Sequence, residues 1–238
     1  MKDPLCQDAM ALLHQRVVDL FHEEKPGIVL DVPAAGGRLA QRLARLDFAV
    51  VCGDIDPSPM RDGLRWIRLD LNQRWPCRDE GFDYVICTEG IEHLENPWHL
   101  VQEVKHVLKT GGKLFLSTPN ILSIKSRLSN LLYGYPNYFN YMVEGDSRSN
   151  QELPVDHINP IGFLELRHIL VRNGFSIVCV TTNRYQKRHS LLYWLIKVLL
   201  HTRGRSSGRD LARAEVRKLL LTNEILFGEN LIIVAKKL

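Results

Sequence analysis

The stretch IVLDVPAAGG (28–37) decides the fold. Its first five residues form an almost wholly apolar run, as expected of a strand buried on both faces. Small residues and Gly36-Gly37 then turn the chain, and Leu39, Ala40, Leu43 and Ala44 follow at helical spacing. The alternation continues downstream with strand FAVVCG (48–53), a short extended WIRL (66–69) and strand FDYVIC (82–87). A helix over 97–108 has Pro97 in its first turn and buries Leu100, Val101, Val104, Val107 and Leu108. Thr110-Gly111-Gly112 ends it, and KLFLS (113–117) is the next strand. Strands alternating with helices imply right-handed parallel crossovers, hence an α/β fold with a doubly wound, mostly parallel sheet.

Upstream, Leu5, Ala9, Leu12, Leu13, Val17, Leu20 and Phe21 mark an amphipathic helix that Pro26-Gly27 breaks. Downstream the periodicity loosens after Asn120, and residues 121–155 read as a lid insertion, with Tyr, Asn, Gly and Pro dense over 133–155. Asn159 and Pro160 predict a helix start, and Asn173-Gly174 its stop. Strands FSIVCVTT (175–182) and NLIIVAK (230–236) bracket a basic helical insertion over 184–228. The expectation is one domain over 1–238, Rossmann-like, with seven strands and a core of 28–120, 155–182 and 230–236.

Composition agrees. At 238 residues, 45% hydrophobic and 24% charged, the chain is neither disordered, collagen-like nor a disulfide miniprotein. Cys6, Cys52, Cys77, Cys87 and Cys179 are odd in number and form no Cys-x-x-Cys pair, which argues against a thiolate zinc site. Cys52 and Cys87 lie in apolar runs and read as small core residues. The opening MKDPLCQDAM lacks an apolar signal core, so the expected location is cytoplasmic. Net charge is +4, but Arg184 to Lys218 carries ten Lys/Arg against two acids, on an otherwise acidic chain. That segment could meet phosphates, an anionic membrane surface or an acidic substrate, or be a solvated face. LLYWLIKVLL (191–200) is too short to span a bilayer. Between Lys187, Arg188, Arg203 and Arg205 it could lie peripherally on the inner membrane surface through 187–205, form a dimer contact, or be buried.

Ligands of such sheets bind beyond the carboxyl ends of the strands, where strand order reverses. Three acids stand at strand ends: Asp31, Asp54 (followed by Ile55-Asp56) and Asp70. An acid after the second strand can accept both hydroxyls of a ribose. A nicotinamide dehydrogenase would need Gly-x-Gly-x-x-Gly after strand one, which is missing. Beyond strand four comes Thr88-Glu89-Gly90-Ile91-Glu92-His93, where a turn could aim Glu89, Glu92 and His93 at one point. Two carboxylates and an imidazole suit Mg²⁺, Mn²⁺ or Zn²⁺, with His157 of VDHINP as a further ligand. Equally, His157 or His93 could be a metal-free general base, or the histidines could be structural.

The chain resembles the class I S-adenosylmethionine-dependent methyltransferases (type 11/12-like) over 28–120 and, more loosely, 155–182. VLDVPAAGG looks like their first motif, and the resemblance implies that Asp31, Val32, Pro33, Ala34, Gly36 and Gly37 hold the methionine end of S-adenosylmethionine. It likewise places Asp54 and Ile55 at the ribose, Asp70-Leu71 at the adenine and Thr88 beside the methyl group. The family often has alternating glycines where this chain has Pro33, which removes a backbone donor, and Ala35, which narrows the loop. Glu-x-x-Glu-His is similar to the ubiquinone-type and small-RNA 3′-terminal O-methyltransferases. That similarity implies a divalent cation held by Glu89, Glu92, His93 and His157, with Glu92, His93 and His157 as catalytic groups. The implied activity is O-methylation of a hydroxyl on a small molecule or glycan. The alternatives are methylation of an RNA 3′ end, using the basic segment, or a cofactor-binding module without turnover.

Overall fold

The computed structural model describes residues 4–56, 58–139, 157–186, 195, 198 and 211–238. Seven strands form one sheet: β1 (Ile28–Asp31), β2 (Ala49–Asp54), β3 (Arg65–Arg68), β4 (Phe82–Thr88), β5 (Leu108–Pro119), β6 (Phe175–Thr182) and β7 (Asn230–Lys237). Their order is β3-β2-β1-β4-β5-β7-β6, with β7 antiparallel to both of its neighbours and every other pairing parallel. The sheet starts at β1, grows outward through β2 and β3, then returns to β1's other side with β4. Asp31 therefore pairs with Cys52 on one side and Ile86 on the other. This reversal places the ends of β1 and β4 at the crevice where doubly wound sheets take ligands.

Strand alternation sorts the core into two layers. Leu30 and Val85 face helices α3 (Pro97–Val107) and α5 (Phe163–Arg172), while Val29, Tyr84 and Ile86 face α1 (Pro4–Phe21) and α2 (Arg38–Ala44). On the second face Phe21 packs on Phe115 at 4.5 Å between ring centroids and edge-on to Phe48 at 5.0 Å. Each such ring contributes about 2–3 kcal/mol of burial, which fixes α1 across the sheet. Cys52 and Cys87 are wholly buried among these apolar groups.

Three element expectations need correction. Strand β5 begins at Leu108 and runs through Thr110-Gly111-Gly112, because Leu108 already pairs with Phe82 before the register shifts. The helix expected from Asn159-Pro160 starts at Phe163, after Gly162. Asn159 instead ties its chain to the turn after β4: its backbone N–H donates to the Glu92 carbonyl (2.9 Å) and its side chain to the Leu94 carbonyl (3.2 Å). The expected lid 121–155 opens with a helix, α4 (Ile124–Tyr133), capped by Ser123 Oγ accepting from the Ser126 N–H. Residues 140–156, which include the last part of that stretch, lie outside the described residues, as does most of 187–210 with its basic and apolar runs. The insertion before β7 ends in α6 (Leu211–Leu220) and α7 (Asn223–Phe227). Among the described residues no helix is long and apolar enough to cross a membrane.

Candidate active site

Asp31 ends β1 with only 1% of its surface exposed, and among the described residues neither carboxylate oxygen has a hydrogen-bond partner. Burial, reinforced by the Asp54 charge, pushes its acid up to about 7. The loop after it is held by main-chain bonds: Val32 N–H to the Ile86 carbonyl (2.9 Å) and Ala34 N–H to the Gly53 carbonyl (3.0 Å). Two glycines are required. A Cβ on Gly37 (φ 75°) would lie 2.2 Å from Leu64 Cδ1, and one on Gly90 would lie 2.7 Å from Pro33 Cδ. The loop thus packs directly on the turn after β4.

Asp31, Pro33, Ala34, Gly36, Thr88 and Glu89 line a cavity of about 570 Å³. Its opposite wall is one the sequence reading missed: Met10 and His14 of α1, Arg38 and Arg42 of α2, and Arg61. The i, i+4 spacing of Arg38 and Arg42 was the available signal. Val32 and Gly37 do not line it. The Val32 side chain is wholly buried in the core beside Leu69, and Gly37 packs on Leu64.

The other acids lie along the ends of β2 and β3, outside that cavity. Half-buried Asp54 accepts from the N–H of Ala35 (2.8 Å) and of Asp56 (3.1 Å), so it pins the loop that carries Gly36. Ile55 is exposed. Asp70 accepts from the Asn72 N–H (2.9 Å), and Leu71 packs against the core.

Beyond β4 the chain makes a 3₁₀ turn, Ile91–His93. Glu92 is fully buried, and among the described residues neither carboxylate oxygen accepts a well-formed hydrogen bond, the buried Thr118 hydroxyl nearby being likewise unpartnered. Burial, and then the Glu89 charge, raise its acid well above the ordinary carboxylate range. Ligand atoms of Glu92, His93 and His157 all lie within 4.8 Å of one another, and the two imidazoles meet at 4.7 Å between centroids. His157 Nδ1 lies 3.0 Å from the Tyr138 carbonyl. A carbonyl only accepts, so Nδ1 carries the proton and Nε2 is the ring's acceptor.

Glu89 does not join this group, contrary to the four-ligand expectation. Its carboxylate accepts from Ser117 Oγ (2.8 Å) and from Asn230 Nδ2 (2.6 Å) of β7. Burial raises its acid to about 7 against the pull of those two bonds. Next to Asn230, buried Glu229 accepts from Arg184 and from the Tyr138 hydroxyl. Although burial opposes it, these bonds hold the Glu229 acid below its usual range. Two successive residues, the last before β7 and its first, thus touch both halves of the site. No local sequence signal marks Asn230 or Glu229, since their partners come from distant segments.

This sheet and this crevice define a Rossmann-like protein with a ligand cavity at the switch point. A family model described as "Methyltransferase domain" matches residues 6–180, and the chain belongs to that family. The chain is 29% identical over 127 residues to the ubiquinone biosynthesis O-methyltransferase of Actinobacillus pleuropneumoniae serotype 5b (strain L20), covering 46% of this chain and 54% of that relative. The match thus spans about half the relative's length. A solved SAM-dependent methyltransferase from Archaeoglobus fulgidus superposes with a TM-score of 0.61 at 18% identity, covering 99% of this chain and 100% of that one. The [4+2]-cyclase SpnF has a TM-score of 0.54 at 15% identity, covering 93% and 80%. Likeness at this level carries the fold and not the reaction.

Proposed function

We propose that the chain is a cytoplasmic S-adenosylmethionine-dependent methyltransferase that methylates a hydroxyl on a small molecule. The observation that carries this reading is the meeting of Glu92, His93 and His157 at the turn just beyond Thr88 and Glu89, which line a cavity whose wall holds an unpartnered buried carboxylate. A buried acid with two empty acceptor oxygens suits a cationic ligand, and the cofactor bears both an ammonium and a sulfonium. When bound, S-adenosylmethionine supplies an electrophilic methyl group. In this reading Asp31 receives the ammonium. Pro33, Ala34 and Gly36 let the ligand approach the main chain, and Asp54 with Ile55 takes the ribose. Asp70-Leu71 borders the adenine, and Thr88 lies near the methyl end.

The rest is work for this chain's own groups. His157 Nε2 accepts the proton of the acceptor hydroxyl, a role suited to an imidazole near neutral pH. Tyr138 holds the tautomer that makes this possible. Glu92 lies within reach of the imidazolium that forms, whose charge would favour ionisation of this raised acid so that the two then pair. The relative's name, an O-methyltransferase of ubiquinone biosynthesis, supports oxygen as the acceptor atom and a small molecule as the substrate.

A second reading has its own observation. The unpartnered oxygens of Glu92, with two imidazoles in range, also suit a divalent cation that would grip the hydroxyl. A glycan hydroxyl fits the same chemistry. Contact with RNA or a membrane surface would depend on the basic segment around 187–205. Incubation with methyl-labelled S-adenosylmethionine and a metabolite extract tests both readings. Labelled methyl ethers are expected. Label confined to nitrogen or carbon products would overturn the proposal, and loss of labelling with chelator, restored by Mn²⁺, would select the cation.

A further inference from the structure

The cavity wall formed by α2 and the segment after β2 carries three guanidinium groups, those of Arg38, Arg42 and Arg61. Among the described residues none of the three forms an ion pair. Arg42 donates to the neutral amide oxygen of Gln15. His14 lines the same cavity, and burial, with Arg42 and then Arg38 adding to it, lowers its conjugate acid to about 4. It is therefore neutral at pH 7. The acids facing the cavity, Asp31 and Glu89, are both raised to about 7, and Glu89 is already held by Ser117 and Asn230. Three like charges thus face one cavity whose lining acids, among the described residues, are only partly ionised at neutral pH. Such an arrangement is favourable only when something negative enters.

We propose that the methyl acceptor is an anion whose carboxylate or phosphate group is received by Arg38, Arg42 and Arg61. The inference rests on the methyltransferase reading and adds the substrate class. The planar fork of a guanidinium matches either group with paired hydrogen bonds. At about 570 Å³ the cavity falls in the usual range for small-molecule sites of roughly 300–1,000 Å³. The carboxylate of the cofactor's methionine end shares this chemistry. Protein already loaded with S-adenosylhomocysteine separates the two sources, because that carboxylate is then in place.

The test uses inorganic phosphate on protein saturated with S-adenosylhomocysteine, followed by calorimetry and by NMR titration of the His14 ring. Saturable phosphate binding is expected, with the His14 midpoint moving up from about 4 as the neighbouring arginines are neutralised. Arg42→Gln and Arg61→Gln should each weaken phosphate at least tenfold while leaving the affinity for S-adenosylhomocysteine within twofold. If phosphate fails to bind the loaded protein, or the arginine variants lose S-adenosylhomocysteine instead, the wall serves the cofactor and the inference is overturned. If wild-type protein does not bind S-adenosylhomocysteine at all, the methyltransferase reading itself falls and takes the inference with it.

Discussion

Replacing Asp31 by asparagine should stabilise the unliganded protein at pH 8 while abolishing its affinity for a cationic ligand. Asp31 is 1% exposed with both oxygens unpartnered, and its acid is raised from 3.8 to about 7. A raised carboxyl pKa means that the folded state binds the proton more tightly than the unfolded one. The cost of folding is therefore absent below pH 4, grows between pH 4 and 7, and is constant above. The gap corresponds to roughly 4 kcal/mol at full ionisation. The asparagine amide would itself be buried without partners, at about 1–3 kcal/mol. A net gain of roughly 1–3 kcal/mol remains at pH 8, or several degrees in Tm at about 2–4 °C per kcal/mol for this size. Thermal unfolding of both proteins from pH 4 to 8 reads this directly, because the difference between them isolates Asp31 from the other raised acids. The gap should open between pH 4 and 7 in favour of the variant. A variant less stable at pH 8, with a gap independent of pH, would show that Asp31 is well paired and that the cavity is not built for a cation.

Asp54→Ala should weaken S-adenosylhomocysteine at least tenfold in calorimetry, because it frees the Ala35 loop and removes a ribose acceptor; unchanged affinity would place the nucleoside elsewhere. Asn230→Ala removes a donor to the Glu89 carboxylate, so the Glu89 acid should titrate higher still in a carbon-13 carboxyl NMR titration, above about 7; an unchanged midpoint would show that the Asn230 bond does not favour the ionised form. His157→Ala should lower kcat by about 10²–10⁴, the usual contribution of a general base, with little change in KM for the cofactor; a loss confined to KM would make it a binding group. Glu92→Gln should abolish Mn²⁺ binding, followed by electron paramagnetic resonance, if the cation is used. If wild type shows no binding, the proton-acceptor role of His157 stands alone.

The inner strands β1, β4, β5 and β7 were legible because each carries a largely buried apolar run, and burial on both faces demands that composition. The acids at the ends of β1, β2 and β3 could be placed for the same reason, since a strand end is a local feature. His157 could be named beside Glu92 and His93 by residue type alone. What brings it there, Asn159 bonding to the Glu92 and Leu94 carbonyls, also explains the misplaced helix start. A residue that looks like a helix cap was engaged by a distant turn. Glu89 shows the converse. Its spacing suited a ligand set, but Ser117 and Asn230, from two other strands, take its oxygens. The arginine wall escaped notice because α2 was read for its buried face, Leu39, Ala40 and Leu43, and not for the face turned to the cavity.

A crystal structure of the protein soaked with S-adenosylhomocysteine would decide whether this crevice is a methyl-transfer site. The expected result places the amino group on Asp31, the ribose hydroxyls on Asp54, and the sulfur at the Thr88–Glu89 end of the cavity, facing His93 and His157. Density for the ligand elsewhere, or a sulfur directed away from the two histidines, would contradict the assignment of both the cofactor cavity and the proton acceptor.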